Sequence, residues 1–181
     1  AMISGHLVVA AAGNYAEDND GSWPFYPASY DLDNIISVAA STDLDQLAYF
    51  SNYGAMSVDL AAPGDSIYST LPGNSYGFYS GTSMATPHVA GAAALVLSRH
   101  LGLSYAGVRN ALLGTVDKLA VLDGRVATGG RLNAAAAMLG GGAAGTYVAY
   151  FRFDDDGGRV LDYTRTDDLL LNWRHAGQRE G

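Results

Sequence analysis

The stretch of this chain best suited to do chemistry is Gly81-Thr82-Ser83-Met84-Ala85-Thr86-Pro87-His88-Val89-Ala90-Gly91. Residues 76–80 read as a strand and residues 89–97 as an Ala-rich apolar helix, so Ser83 falls where strand gives way to helix. That helix reads as buried, with Gly91 allowing close approach, and is about 24 Å long if it runs about 16 residues. Unpaired backbone N–H groups and the positive end of the dipole at its N-terminus favour negative charge beside a hydroxyl. A nucleophilic serine suits that place; so does a plain helix N-cap.

Asn14 is the second candidate. Residues 6–12, His-Leu-Val-Val-Ala-Ala-Ala, form a continuous apolar run typical of a buried parallel strand, and Gly13-Asn14 ends it in a turn. Open α/β sheets gather functional side chains beyond the carboxyl ends of their strands. An asparagine there offers two N–H donors, although Gly-Asn also reads as an ordinary turn. A serine nucleophile further needs a base. His88 is near in sequence, but five residues along a helix is about 140° of rotation and about 7.5 Å of rise. It reads as a packed helix residue, and His6, His100 and His175 stand in no motif.

The remaining elements must hold these groups in place. Residues 35–40, Ile-Ile-Ser-Val-Ala-Ala, read as another core strand, and residues 67–80 as two short strands about a Pro72-Gly73 turn that deliver the chain to Ser83. Ser104 predicts the cap of a helix over 105–113, and Asn133 that of a short Ala-rich helix ending at 138. The acidic loop 17–22 reads as solvated and 41–46 as a surface turn. Glycines and alanines over 140–146 predict a flexible linker; beyond it, 147–153 is strand-like and 154–158 turn-like. The expected organisation is a domain over 1–139, the linker, and an extension over 147–181.

With 181 residues the chain can bury one sizeable core, so one domain plus a tail is the natural count. A net charge of −8 argues against a nucleic-acid partner. The absence of cysteine excludes disulfides. No stretch reaches membrane-spanning length without a charge or a breaker, and nothing at the start reads as a signal peptide.

The eleven residues 81–91 resemble, at every position, the nucleophile segment of the subtilisin-like serine proteases, the subtilases. They do not resemble the Gly-x-Ser-x-Gly elbow of the α/β-hydrolases, because Ala85 replaces the last glycine. Val8-Val-Ala-Ala-Ala-Gly-Asn14, the segments 47–54 and 58–64, and Arg131-Leu-Asn-Ala-Ala resemble further subtilase signatures, so the likeness runs from residue 6 to about 139. It implies an α/β fold, a parallel sheet flanked by helices, and peptide-bond hydrolysis on a polypeptide substrate through an acyl-enzyme. By the same resemblance Ser83 is the nucleophile and Asn14 the oxyanion donor. Ala11, Ala12 and Gly13 form a wall, and Phe25 part of the floor, of the pocket for the substrate's P1 side chain. The resemblance requires no cofactor for the chemistry, but implies a structural calcium or similar cation held by carbonyls near Ala28 and Tyr30 with Asp59 as the acidic ligand. It also implies secretion.

The family's aspartate and histidine motifs precede the strand at Leu7, and neither is present. The chain is therefore expected to be the C-terminal half of a catalytic domain, inactive alone, whose partner is the missing N-terminal half. The alternative is a non-catalytic binding or adhesion module built on the same scaffold. Residues 162–178 faintly resemble the start of an FG-GAP/VCBS-type propeller repeat, with Thr164 and Thr166 where calcium-binding aspartates would stand.

Overall fold

A computed structural model describes residues 5–140; the readings made for the linker beyond 140 and for the extension fall outside them. Three parallel strands form the centre of a sheet: β1 (Val8–Ala11), β2 (Ile35–Ser41) and β3 (Leu60–Pro63). Val38 lies at the middle, in register with Ala11 on one side and Leu60 on the other. Two antiparallel strands, β4 (Ile67–Leu71) and β5 (Ser75–Tyr79), make a separate hairpin. The short β6 (Asp117–Lys118) and β7 (Gly130–Arg131) extend the main sheet to the order β1-β2-β3-β7-β6, with β7 parallel to β3 and β6 antiparallel to β7.

Every residue of β2 is buried, which is why its sequence shows no polar alternation. Its pleat nevertheless divides the side chains. Ile36, Val38 and Ala40, with Leu60 and Ala62 of β3, face helix α1 (Thr82–Arg99), whose Ala85, Val89, Ala92, Ala93 and Val96 complete that core. Val108 and Leu112 of α2 (Tyr105–Gly114) and Ala137 of α3 (Ala134–Met138) join the same cluster. The opposite face is covered by irregular chain: Ala39 and Ala61 meet Val58, Leu122 and Val126, while Ile35 meets Ala28. Truncating a fully buried residue such as Leu60 to alanine would cost about 2–5 kcal/mol.

Ser104 and Asn133 cap α2 and α3 as expected, accepting from Gly107 N and Ala136 N. Several expectations need correction. The apolar run of α1 is not buried all round: Leu95 is 50% and Leu97 42% exposed, and Ala90, Gly91 and Ala94 lie on the same open side. The residues of α1 that reach the sheet are those spaced three and four apart, 85, 89, 92, 93 and 96, and the described residues supply no cover for the others. The loop 17–22 is not merely solvated: Asn19 is buried, and Asp20 accepts from the N–H groups of Met56 and Ser57.

Candidate active site

Ser83 is exposed and is the second residue of α1. Gly81, not Ser83, takes the N-cap position, and as a glycine it has no side chain with which to cap the helix. The seryl hydroxyl is therefore not spent on capping. Its own N–H belongs to the first turn, where no intrahelical acceptor exists. The hairpin β4–β5 brings the chain to this point, and Gly81 N donates to Gly64 O at 2.7 Å where it rejoins the end of β3.

Asn14 stands just past the carboxyl end of β1 and its side chain is exposed beside the same helix start. Its Oδ1 accepts from Thr82 N–H at 2.8 Å and from the Thr82 hydroxyl at 3.0 Å. Both partners are donors, so the carboxamide oxygen is fixed inward and the NH₂ is left free to donate. Thr82, fully buried, also accepts from Gly13 N at 3.2 Å, tying the strand end to the helix start. A Cβ built on Gly81 would lie 3.5 Å from Asn14 Nδ2 and 3.6 Å from Met84 Sδ, so amide and thioether border one spot near Ser83. Ser83 and Met84 line a groove of ≈ 500 Å³ with Ile67, Leu71 and Tyr79 of the hairpin.

Gly13, at φ +114°, has a backbone that L side chains rarely adopt, and a Cβ there would meet the Asn52 amide at 2.6 Å and the Phe25 ring at 3.1 Å. Phe25 thus lies against the Gly13 backbone, next to Ala11 and Ala12 in sequence, with Tyr15 6.0 Å from its ring centre.

His88 is not the packed residue expected; it is exposed and lines the groove with Ser83. Its Nδ1 lies 2.9 Å from Met84 O. A carbonyl only accepts, so Nδ1 carries the proton there. His100 similarly donates from Nε2 to Met138 O at 3.0 Å. Among the described residues no hydrogen bond joins Ser83 to a histidine.

Asp59 shares a cavity of ≈ 290 Å³ with Ala28 and Tyr30, the groups a structural cation would use. Its oxygens are committed elsewhere: Oδ1 accepts from Arg109 at 2.6 Å and Oδ2 from Ser37 N at 2.8 Å. Burial pushes the Asp59 carboxyl above its ordinary range, against the pull of the Ser37 N–H and the Arg109 charge. A hard cation wants several free oxygens, and the guanidinium beside this carboxylate opposes a second positive charge. With Arg109 in place the donor set does not fit calcium through Asp59. Among the described residues no cluster of three or more His, Asp or Glu is arranged to hold a metal.

Sequence reasoning did not single out Thr82, Asn19, Asn52 or Arg109. Thr82 lies inside the segment 81–91 that carries the family resemblance and could have been found there. The other three carry no local signal, because their partners lie 7 to 74 residues away.

A serine on the first turn of a helix thus stands beside an asparagine fixed at the end of a parallel strand, on an α/β scaffold. Comparison with known proteins is specific. The sequence profile of the subtilase family matches residues 1–152, and this chain belongs to that family. It is 50% identical over 119 residues to the subtilisin of Bacillus pumilus, covering 66% of this chain and 42% of that protein. The same identity over 119 residues holds for Subtilisin E of Bacillus subtilis (strain 168), of which 30% is covered. Subtilisin-like protease 2 of Plasmodium falciparum is 50% identical over 94 residues, 52% of this chain and 7% of that one. Among solved structures, a chain from the study of subtilase cytotoxin SubAB assembly superposes with a TM-score of 0.67 at 31% identity, covering 74% of this chain and 48% of that one. The chain thus spans less than half the length of these relatives. The matches lend no support to the propeller-repeat likeness of residues 162–178.

Proposed function

We propose that this chain supplies the nucleophile and the oxyanion donors of a serine endopeptidase, and that polypeptide outside the chain supplies the general base and its orienting carboxylate. The observation that carries the reading is the pairing of an exposed, uncapped Ser83 with an Asn14 whose amide oxygen is already committed to Thr82. Ser83 Oγ attacks the scissile carbonyl while the base takes its proton. The tetrahedral oxyanion accepts from Asn14 Nδ2 and from the Ser83 N–H. Collapse breaks the C–N bond, the protonated base gives its proton to the leaving amine, and the acyl-enzyme is then hydrolysed by the same steps with water. Oxyanion donation of this kind is worth about 2.7–4 kcal/mol per donor.

The substrate is a polypeptide. Phe25, against the Gly13 backbone, gives the P1 pocket an apolar floor, with Ala11 and Ala12 on its wall. The companion polypeptide covers the open side of α1, where Leu95 and Leu97 would otherwise keep apolar surface in water. Secretion, implied by the family resemblance, belongs to the same proposal; no helix among the described residues is long and apolar enough to cross a membrane.

A fluorophosphonate probe tests the reading. The intact protein that contains this chain should be labelled at Ser83, and Ser83→Ala should abolish labelling. An intact, folded protein that stays unlabelled would mark the scaffold as a binding module.

A further inference from the structure

We propose that Asn19 and Asn52 form a buried carboxamide clip that sets the aim of Asn14, making both positioning residues for the oxyanion donor. The inference rests on the reading of Asn14 as that donor.

Residues 12–17 carry Asn14 on irregular backbone, where no sheet ladder satisfies every N–H and C=O. Two side chains do so instead. Asn52 Oδ1 accepts from Tyr15 N at 2.8 Å and Glu17 N at 3.3 Å. Asn52 Nδ2 donates to Asn19 Oδ1 at 2.9 Å, and Asn19 Nδ2 donates to Ala12 O at 2.9 Å. The Asn52 backbone N–H donates to Gly13 O, also at 2.9 Å. Asn14 is thus held on both flanks, at the carbonyls of 12 and 13 and the N–H groups of 15 and 17, by partners other than Thr82. Asn52 is 1% and Asn19 3% exposed, so water does not compete for these bonds.

The chain of amides has a direction. It begins at two backbone donors and ends at one backbone acceptor, and each carboxamide must accept at one end and donate at the other. Turning either amide round sets oxygen against oxygen or N–H against N–H at both of its contacts. A carboxylate at either position removes a donor and leaves two acceptors facing each other. A buried polar group left without a partner is strongly disfavoured. The Gly13 backbone closes over the clip, since a Cβ there would lie 2.6 Å from Asn52 Nδ2. The turn can therefore relieve such a mismatch chiefly by moving its own backbone, which carries Asn14.

The test uses the intact enzyme, with kcat referred to the concentration of titratable active sites so that unfolded protein does not count. Asn52→Asp, in the Asn14 background, should lower kcat by at least about 10-fold with KM nearly unchanged. In the Asn14→Leu background the same substitution should leave kcat as it is, because the donor it aims is gone. Asn19→Asp should repeat the pattern and serves where Asn52→Asp yields no folded protein. A lower melting temperature with unchanged kcat would overturn the proposal and leave the clip a stability device. An equal loss of kcat in both backgrounds would also overturn it, since the clip would then act through something other than Asn14. If Asn14→Leu alone keeps full kcat, the reading of Asn14 fails and takes the proposal with it; a normal loss there with an inert Asn52→Asp sinks the clip alone.

Discussion

Asn14 presents its amide on an exposed turn, so replacing it removes a donor without opening the core. Asn14→Leu in the intact enzyme should lower kcat by about 10²–10³ and leave KM nearly unchanged, the loss typical of one oxyanion-hole donor and a range that comes from a subtilisin. Equal losses in binding and turnover would make Asn14 a turn residue instead. Met84 follows Ser83, and its sulfur and the Asn14 amide lie 3.6 Å and 3.5 Å from the one point where a Gly81 Cβ would stand. Oxidation to the sulfoxide would put a polar oxygen into that space. Mild peroxide should therefore cut turnover while the thermal midpoint stays put, and Met84→Ala should be active and resistant. Equal peroxide sensitivity in both proteins would remove Met84 from the site.

At the scale of the elements, the loop 17–22 is held to the loop before β3 through Asp20. Burial pushes the Asp20 carboxyl up, but the Ser57 hydroxyl and the N–H groups of Met56, Ser57 and Ala55 together outweigh it, and the net direction is below the ordinary 3.8. A lowered folded-state value means that ionised Asp20 stabilises the fold above the ordinary value, and that this contribution fades as pH falls through the folded one. Wild type should melt above Asp20→Asn at neutral pH, and the gap should close in acid below that carboxylate range. A gap independent of pH would mean that the charge is not what holds the loop. Much of this level was legible beforehand. The apolar runs at 6–12 and 35–40, the Pro-Gly turn of the hairpin and the caps Ser104 and Asn133 are local signals, and the structure places each where its local chemistry directs. The ion pair of Asp59 with Arg109, and the bonds of Arg131 to Asp45 and Asp117, join residues 14 to 86 positions apart, and spacing along the chain says nothing of them. His88 was misread for a related reason. The described residues leave it exposed at the groove, so an apolar neighbourhood in sequence did not become one in space.

At the scale of the whole molecule, the described residues leave open one side of α1 and one edge of β1, at two different places on the same α/β layer. Expressed alone, this chain should show no measurable peptidase activity and should be poorly soluble, because no described histidine is hydrogen-bonded to Ser83 and apolar surface is left in water. Casein hydrolysis that survives purification and vanishes in Ser83→Ala would overturn this, and would turn attention to His88 in the groove.

The hairpin β4–β5 leaves the layer and returns to it through one narrow neck. Gly81 N meets Gly64 O there, and the Ser80 hydroxyl donates to Asp65 at 2.7 Å while accepting from Ser66 N at 2.9 Å. Everything between is a detour whose two ends are stapled together. Extra length at its tip, residues 72–74, would lengthen the detour without transmitting displacement to Ser83, since closing a longer loop costs only about 0.6 kcal/mol per doubling. The tip is thus a natural splice point, at which a foreign segment can be grafted within reach of the groove while Ser83 keeps its register.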